Sequence, residues 1–376
     1  MSRGARRLDG LGTTIFTEMT ALAVATGAIN LGQGFPDTDG PTEVIEAAVS
    51  ALRDGANQYA PLPGVPALRE AIVEHQRNWY GLEPEDLLVT IGATEAIAAA
   101  VLGLCDPGDE VIVIEPYYDS YPAVVAFAGA RRRTVTLRPP DFRLLADELR
   151  AAAGPRTRVL MLNTPHNPTG RVFDAEELEA VAAVCIEHDL VCISDEVYEH
   201  LVYDGEHVPP ATMPGMAERT LTVSSVGKSF SVTGWKTGWC SGPADLVAAT
   251  RTAKQFLTFA GGTPLQHAAA TALALPSSYL YELRDSLARK RDMLAEGLAA
   301  AGLAPLPSAA TYFINADVGT DAVRWCRELP ERAGIVAIPT SVFYDDDEAG
   351  PTLVRFAFCK RDEVIAEAGR RLAALR

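Results

Sequence analysis

The stretch Thr220-Leu-Thr-Val-Ser-Ser-Val-Gly-Lys228-Ser-Phe-Ser-Val-Thr-Gly-Trp-Lys236-Thr-Gly-Trp-Cys-Ser-Gly242 gives the clearest indication of the fold. It begins and ends with short apolar runs, Thr220–Ser224 and Trp239–Gly242, which we predict to be strands. The loop between them carries two of the five lysines in the chain, Lys228 and Lys236. We therefore expect Lys228 at the carboxyl end of a strand, where α/β proteins place their ligand sites.

The same alternation of short apolar strands and amphipathic helices extends from about residue 43 to residue 241. Most of the strands lack polar alternation, which indicates that helices cover both faces of the sheet. The pattern predicts an α/β fold with a mostly parallel, seven-stranded, doubly wound sheet. The other predicted strands are Leu87–Ile91, Glu110–Glu115, Arg133–Leu137, Val159–Asn163 and Leu190–Ser194, with helices such as Thr94–Leu104 and Ala175–His188 between them.

The length of 376 residues indicates two domains. We predict an N-terminal segment (1–42) that joins the small domain or crosses to a neighbouring subunit. A large domain (43–280) and a smaller C-terminal α+β domain (281–376) follow, with a long helix over Pro276–Ala301 leaving the large domain.

The formal net charge of −16 and the pI of about 4.9 argue against nucleic acid or anionic membranes as partners. No apolar run is long enough for a transmembrane span and no signal peptide is recognisable, so we expect a cytoplasmic protein. The six cysteines are typical of buried apolar residues in a reducing compartment. No metal site is predicted, because the histidines and cysteines form no local cluster.

Lys228 is the leading candidate for a reactive amine. A lysine that forms a Schiff base must lose a proton, and burial near a second cation such as Lys236 lowers its pKa. A solvent-facing loop lysine is the alternative, although the flanking Gly, Ser, Phe and Trp residues are unusual for an exposed turn. The motifs S-x-x-K and K-T-G of penicillin-recognising serine enzymes also occur here, but they lie too close together for that class.

Two further strand ends carry polar groups. The run Asn163-Thr-Pro-His-Asn-Pro-Thr-Gly170 forms a turn that directs Asn167 into the cleft. Asp195, after the strand Leu190–Ser194, is a carboxylate that could pair with a protonated pyridine nitrogen. Capping of a helix is the alternative role of Asp195.

Three other features leave two interpretations open. Thr94 and Glu95 begin a helix whose N-terminus could bind phosphate or could simply be capped. The aromatic run Tyr117-Tyr-Asp-Ser-Tyr121 could stack on a flat cofactor or fill space. Arg355, in the apolar strand Leu353–Phe358, could bind a substrate carboxylate or an internal one.

In combination, these motifs resemble the class I aminotransferases of pyridoxal-phosphate (PLP) fold type I, over nearly the whole chain. The resemblance is greatest to the branch of kynurenine/glutamine, methionine and N-succinyldiaminopimelate aminotransferases. Segments typical of that branch are Arg6–Gly10, Asn30–Asp37, Asn57–Tyr59 and Thr233–Lys236.

The resemblance implies PLP as the cofactor and a role for each matching residue. Lys228 would form the Schiff base and move the substrate proton, and Asp195 would pair with the pyridine nitrogen. Asn167 and Tyr198 would bind the 3-oxygen of the cofactor, and Tyr118 would stack on its ring. Ala93, Thr94, Ser225 and Lys236 would hold the phosphate, together with Tyr59 from the other subunit of a homodimer. The substrate would be bound by Phe16, Gly34, Asn167 and Arg355.

The implied reaction is amino-group transfer from an L-amino acid to a 2-oxo acid. Thr94 and Phe16 replace an aromatic residue and a tryptophan found in some kynurenine/glutamine transaminases, which favours the succinyldiaminopimelate type or a broad specificity. A C–S β-lyase or another PLP enzyme of the same fold remains the alternative. A PLP-binding transcription regulator is not expected, because the acidic chain has too few residues before the core for a DNA-binding module.

Overall fold

The structure, a computed structural model, describes residues 4–8, 11, 15–346 and 348–375. Its strands are β1 (Ile29–Asn30), β2 (Asp86–Ile91), β3 (Glu110–Glu115), β4 (Arg131–Thr136), β5 (Thr157–Asn163), β6 (Val191–Asp195), β7 (Thr220–Ser225), β8 (Thr237–Gly242), β9 (Ala304–Pro305), β10 (Phe313–Asp317), β11 (Ile335–Val336), β12 (Ile338–Pro339) and β13 (Leu353–Ala357). Its α-helices are α1 (Ile15–Thr26), α2 (Thr42–Arg53), α3 (Pro66–Tyr80), α4 (Gly92–Leu104), α5 (Ser120–Phe127), α6 (Ala146–Ala152), α7 (Ala175–Glu187), α8 (Val226–Ser229), α9 (Ala244–Leu257), α10 (Thr263–Leu273), α11 (Ser277–Ala300), α12 (Ala322–Ala333) and α13 (Asp362–Ala373).

A seven-stranded sheet in the order β2-β8-β7-β6-β5-β3-β4 forms the centre of the molecule. Only β8 is antiparallel to its neighbours, β2 and β7, and the other adjacent pairs run parallel. The prediction of a mostly parallel seven-stranded sheet is therefore confirmed. Because β8 runs the opposite way, its first residues lie at the edge where the parallel strands end.

The strand boundaries differ from the prediction by at most two residues, and those of β3 do not differ. The largest practical difference is at β8, which begins at Thr237 and not at Trp239. Gly238 was interpreted as part of a turn, but it pairs with Thr90 and Ser225 within the sheet. Asp195 was predicted to follow the strand directly, but it is the last residue of β6. Tertiary pairing has thus extended strands into residues whose local preference is for turns.

Apolar side chains from successive strand residues enter cores on opposite faces of this sheet. Val111 and Val113 belong to one core, which includes residues of α4, α5 and α9. Ile112 and Ile114 belong to another, which includes residues of α6 and α7. A third core, on the edge near β2 and β8, includes residues of α2, α3 and α10. Burial on both faces explains why these strands lack polar alternation.

A second sheet, in the order β12-β13-β10-β9, lies in a separate core that α11, α12 and α13 help to form. Met19, Ala23 and Leu31 belong to this core too, so the described part of the N-terminal segment packs against the C-terminal part of the chain. Along α11, Leu280 belongs to the α2/α3 core and Leu287 to the core of the second sheet. The domain limits at 42 and 280 stay a prediction.

Asp9 and Gly10, part of the N-terminal motif that contributed to the resemblance, lie outside the described residues. Among the described residues, no helix combines the length and the apolar character that crossing a membrane requires.

Candidate active site

A cavity lies at the carboxyl ends of the parallel strands, where the sequence predicted a ligand site. Nine of the predicted cofactor residues line it: Ala93, Thr94, Tyr118, Asn167, Asp195, Tyr198, Ser225, Lys228 and Lys236. They come from the last residues of β6 and β7, from loops or helices that follow β2, β3, β5, β6 and β7, and from the residue before β8. The sheet thus brings together residues that are up to 143 positions apart, Ala93 and Lys236.

Lys228 lies on the single-turn helix α8 directly after β7. Burial lowers the pKa of its amine to about 8; the cations Lys236 and Arg355 act in the same direction, while Cys359 and Asp195 oppose the shift. Its Nζ lies 5.7 Å and 5.6 Å from the ring centroids of Tyr198 and Tyr312. At pH 7 roughly one-tenth of such an amine is uncharged, far more than of an ordinary lysine, and the uncharged form is the nucleophile.

Asp195 lines the cavity and is held by two hydrogen bonds. The hydroxyl of Tyr121 donates to its Oδ2 at 2.6 Å, and the side-chain amide of Asn163 donates to its backbone oxygen at 2.8 Å. Burial raises the pKa of this carboxyl to about 6, and the hydrogen bond from Tyr121 opposes the rise. The residues after Asp195 form turns and no helix, so the alternative role as a helix cap is wrong.

The N-terminus of α4 opens into the cavity at Gly92, Ala93 and Thr94. A Cβ built on Gly238 would lie 2.7 Å from the carbonyl carbon of Gly92 and 2.8 Å from the backbone nitrogen of Ala93, so only glycine allows β8 to approach this helix. Lys236 Nζ donates to Thr94 Oγ1 at 3.3 Å. A helix N-terminus beside a lysine and hydroxyl groups has the composition of a phosphate site.

The capping interpretation of this helix start holds for one of its two residues. The carboxylate of Glu95 accepts from the backbone N–H of Ile91 at 2.6 Å, whereas Thr94 makes no capping hydrogen bond. The hydroxyl of Thr94 is therefore directed toward Lys236 and the cavity.

Arg355 lies beside the cavity, in the middle of β13, and is 2% exposed. Its guanidinium donates to Asn167 Oδ1 at 3.1 Å and to the backbone oxygen of Gly32 at 2.9 Å. Its Nε has no hydrogen-bond partner, and no carboxylate of the described residues lies within 4.0 Å of it. The alternative of an internal salt bridge is therefore wrong within the part of the chain that the structure describes.

Aromatic rings surround the Arg355 guanidinium. Its central carbon lies 4.1 Å from the ring centroid of Phe313, 4.9 Å from that of Phe343 and 5.3 Å from that of Phe16. Burial lowers the pKa of Arg355 to about 10, which still leaves it charged at neutral pH. A buried cation with a free N–H group and an aromatic surround is suited to bind a carboxylate from outside.

Gly34 and Tyr59 occupy different positions relative to this site. The hydroxyl of Tyr312 donates to the backbone oxygen of Gly34, which fixes the loop after β1 next to Phe313. Tyr59 is 85% exposed and packs edge-on against Phe259, with ring centroids 5.7 Å apart. It does not line the cavity of its own chain.

Three residues of the site received no role from sequence reasoning: Tyr121, Asn163 and Tyr312. Tyr121 and Asn163 stood within the quoted motifs, and both hold Asp195. Tyr121 follows the predicted stacking residue Tyr118 by three positions, which is one helical turn, so a helix over this run would have placed both rings on one side. Tyr312 had no local signal, because its contacts are with Gly34 and Lys228, both distant in sequence.

Comparisons with known proteins agree with this geometry. A family model described as "Aminotransferase class I and II" matches residues 26–372. A protein of Mycobacterium tuberculosis named "Probable N-succinyldiaminopimelate aminotransferase DapC" is 51% identical over 387 residues, covering 98% of each chain. The methionine aminotransferase of Escherichia coli is 42% identical, covering 98% of this chain and 97% of its own. The solved N-succinyldiaminopimelate aminotransferase of M. tuberculosis superposes with a TM-score of 0.97, at 51% identity, over 99% of this chain and 100% of the other.

Proposed function

Since the chain belongs to the class I and II aminotransferases and transfers an amino group from an amino acid to a 2-oxo acid, we propose that it does so with PLP at Lys228 and with an N-succinyldiaminopimelate-type amino donor. The observation that carries the proposal is that Lys228 lines the cavity and that Arg355 lies beside it, hydrogen-bonded to the cavity residue Asn167. Lys228 has a lowered pKa and can exchange a proton, while Arg355 stays charged and has no carboxylate partner among the described residues.

The residues around the cavity fit PLP. The close approach of β8 to α4 leaves backbone N–H groups, Thr94 and Lys236 around one end, which suits a phosphate. The carboxylate of Asp195 lines the same cavity, where it would keep a pyridine nitrogen protonated. When bound, PLP supplies an electron-withdrawing ring that stabilises negative charge on the substrate Cα.

The roles of the chain's own groups follow from their positions. Lys228 Nζ would hold the cofactor. It would then carry the proton between the substrate Cα and the C4′ carbon of the cofactor. Tyr118 would cover one face of the ring, and Asn167 and Tyr198 would bind the 3-oxygen. Ser225, beside the start of α8, would add a hydroxyl to the phosphate site. Arg355, with Asn167 and the backbone at Gly34, would bind the α-carboxylate and so fix the orientation of the substrate.

The choice of donor follows from the names of the relatives and from two residues, Thr94 and Phe16. The relative at 51% identity bears the succinyldiaminopimelate name, and relatives at 42% and 39% bear methionine and kynurenine names. Thr94 leaves open a wall of the pocket that an aromatic residue fills in some kynurenine transaminases. Phe16, half-buried beside Arg355, would lie over the substrate side chain.

We propose that the active form is a homodimer with composite sites. Tyr59 is almost fully exposed and contacts Phe259, and Phe256, three residues before Phe259 in the chain, is 81% exposed. An exposed aromatic group of this kind is typical of an interface. Sedimentation of the active holoenzyme should show a dimer or larger assembly, and a fully active monomer would contradict this proposal.

Half-reactions test the donor. The holoenzyme is mixed with N-succinyl-LL-diaminopimelate, methionine or kynurenine, and conversion of the bound cofactor to its amine form is followed by absorbance. We expect the fastest conversion with the succinylated donor, and 2-oxoglutarate should reverse it. Faster conversion by methionine or kynurenine would overturn the choice of donor while leaving the aminotransferase function intact.

An S-substituted cysteine tests the C–S β-lyase alternative. A lyase would release pyruvate and ammonia without accumulating the amine form of the cofactor. A transaminase should accumulate that form and release neither product.

A further inference from the structure

A second group of polar side chains lies away from the cavity, on the far side of the turn that follows β6. His75 from α3 and Glu199 and His200 from this turn form what we call the rear cluster. All three residues are buried, with exposed fractions of 5%, 9% and 9%. Their possible ligand atoms lie within 4.8 Å of one another. None of these groups has a part in the proposed amino transfer.

The spacing within the rear cluster matches that of ligands around one ion. The Nε2 atoms of His75 and His200 are 3.2 Å apart, and His75 Nε2 is 3.4 Å from Glu199 Oε2. In a tetrahedral zinc site with metal–ligand distances of about 2.0–2.1 Å, neighbouring ligand atoms are separated by about 3.3 Å. Both distances involving His75 therefore agree with shared coordination of a small cation.

Neighbouring residues orient these ligands. Ser224 Oγ donates to the other oxygen of Glu199, Oε1, at 2.5 Å, which leaves Oε2 directed toward the histidines. The ring of Trp79 packs edge-on against His200, with centroids 4.6 Å apart, and restricts its rotation. Supporting contacts of this kind are typical of metal-binding side chains.

A surface cavity reaches the rear cluster, so a cation and a water molecule can enter. Glu199 and His200 both line it, together with Trp79, Tyr80 and His207. The cluster offers three protein ligands, two nitrogens and one oxygen, which is the donor set of zinc sites that keep a fourth position open.

We propose that the rear cluster binds one Zn²⁺ ion through His75, Glu199 and His200, with water from the cavity as the fourth ligand. The ion would link α3 to residues 196–200. These residues form the turn between Asp195 and Val202, which pairs with Ala310. The ion would take no part in the amino-transfer chemistry. Local spacing could not predict it, because His75 and His200 are 125 positions apart in sequence.

Zinc binding by the holoenzyme tests the proposal. After removal of metals with a chelator, the protein is titrated with Zn²⁺ by calorimetry, and its zinc content is measured after dialysis. We expect one ion per chain, and the visible absorption of a tetrahedral site when Co²⁺ replaces zinc. The variants His75→Asn, His200→Asn and Glu199→Gln should each lose stoichiometric binding and the cobalt spectrum.

His188→Asn is the matched control, because this half-buried histidine lies at the end of α7, outside the cluster. It should bind zinc like the wild type. Circular dichroism identifies variants that fail to fold; Glu199→Gln, which preserves shape, then serves as the deciding variant. Absence of stoichiometric binding to the wild-type holoenzyme would overturn the proposal and leave a hydrogen-bonded cluster, as would retention of binding in all three cluster variants.

Discussion

Lys228 and Arg355 are both buried cations beside one cavity, but their surroundings differ. Lys228 lies on the short helix α8, directly after a strand of the seven-stranded sheet, and burial with two nearby cations brings its pKa to about 8. Arg355 lies in the middle of a strand of the four-stranded sheet, among phenylalanine rings, and its pKa of about 10 keeps it charged. The first environment suits a group that must exchange protons, and the second a group that must hold a fixed charge.

Loss of Lys228 should have the largest effect. We expect Lys228→Ala to abolish turnover and to leave no cofactor that borohydride can trap on the protein, because no other amine occupies this position. Lys236→Ala is the control: it removes a phosphate contact, so PLP should bind more weakly while trapping on Lys228 persists. Peptide mapping of the reduced protein locates the label, and a label on Lys236 or Lys254 would show the assignment to be wrong.

Replacement of Asp195 should have the next largest effect. Asp195→Asn keeps the shape but removes the charge that stabilises a protonated pyridine nitrogen, so kcat should fall by orders of magnitude. PLP should still bind, with an altered absorption spectrum. Stopped-flow half-reactions measure the effect, and an unchanged rate constant would remove Asp195 from the chemistry.

Substitution of Arg355 separates the two cations most directly. Arg355→Ala leaves a substrate carboxylate buried without a partner, a loss of roughly 2–5 kcal/mol, or about thirtyfold to several thousandfold in affinity. Arg355→Lys keeps the charge but loses the planar fork, so mainly KM should rise, for amino and keto acids alike. Unchanged amino-acid affinity in Arg355→Ala would mean that another group binds the carboxylate.

The smallest effect concerns the acid limb of the pH profile. Tyr121 donates to Asp195 and lowers a pKa that burial has raised to about 6, so Tyr121→Phe should raise that pKa further. Asp195 would then remain protonated to higher pH, and the acid limb of the activity and of the cofactor spectrum should move upward. The pKa values of Asp195 and Tyr121 also depend on other nearby groups, which stay unchanged in this variant: Lys228, Glu196, Tyr118 and Tyr198.

Tyr117→Phe is the control for this prediction, since Tyr117 donates to Asp345 and not to Asp195. A pH profile that responds equally to both variants would indicate a general packing effect. A single hydrogen bond to a charged group contributes roughly 1.5–3 kcal/mol, so the loss in rate for Tyr121→Phe at neutral pH should not exceed about ten- to a hundredfold.

The sequence predicted the large sheet and most of the cavity, because both depend on local patterns. Apolar strands followed by polar turns located Asn167, Asp195 and Lys228, and parallel strands bring their ends together. The remaining features depend on tertiary contacts. Gly238 has turn-like neighbours but lies within β8, and the hydrogen bond from Tyr121 to Asp195 joins residues 74 positions apart in sequence.

For Arg355, sequence reasoning could establish less than for Lys228. Its strand was predicted, but the absence of a nearby carboxylate could be seen only when the described residues were placed in space. The histidine pair of the rear cluster is a similar case, since its members come from α3 and from the turn after β6.

The contact between Gly238 and the start of α4 limits how this protein could be redesigned. Any side chain at position 238 would push β8 away from Gly92 and Ala93, so a mutant library that varies this position should consist almost entirely of inactive clones. Phe16, Phe313 and Phe343 surround Arg355 on other elements of the chain. Laboratory evolution toward new donors should therefore vary the residues around Arg355 and keep the residues at the strand ends unchanged.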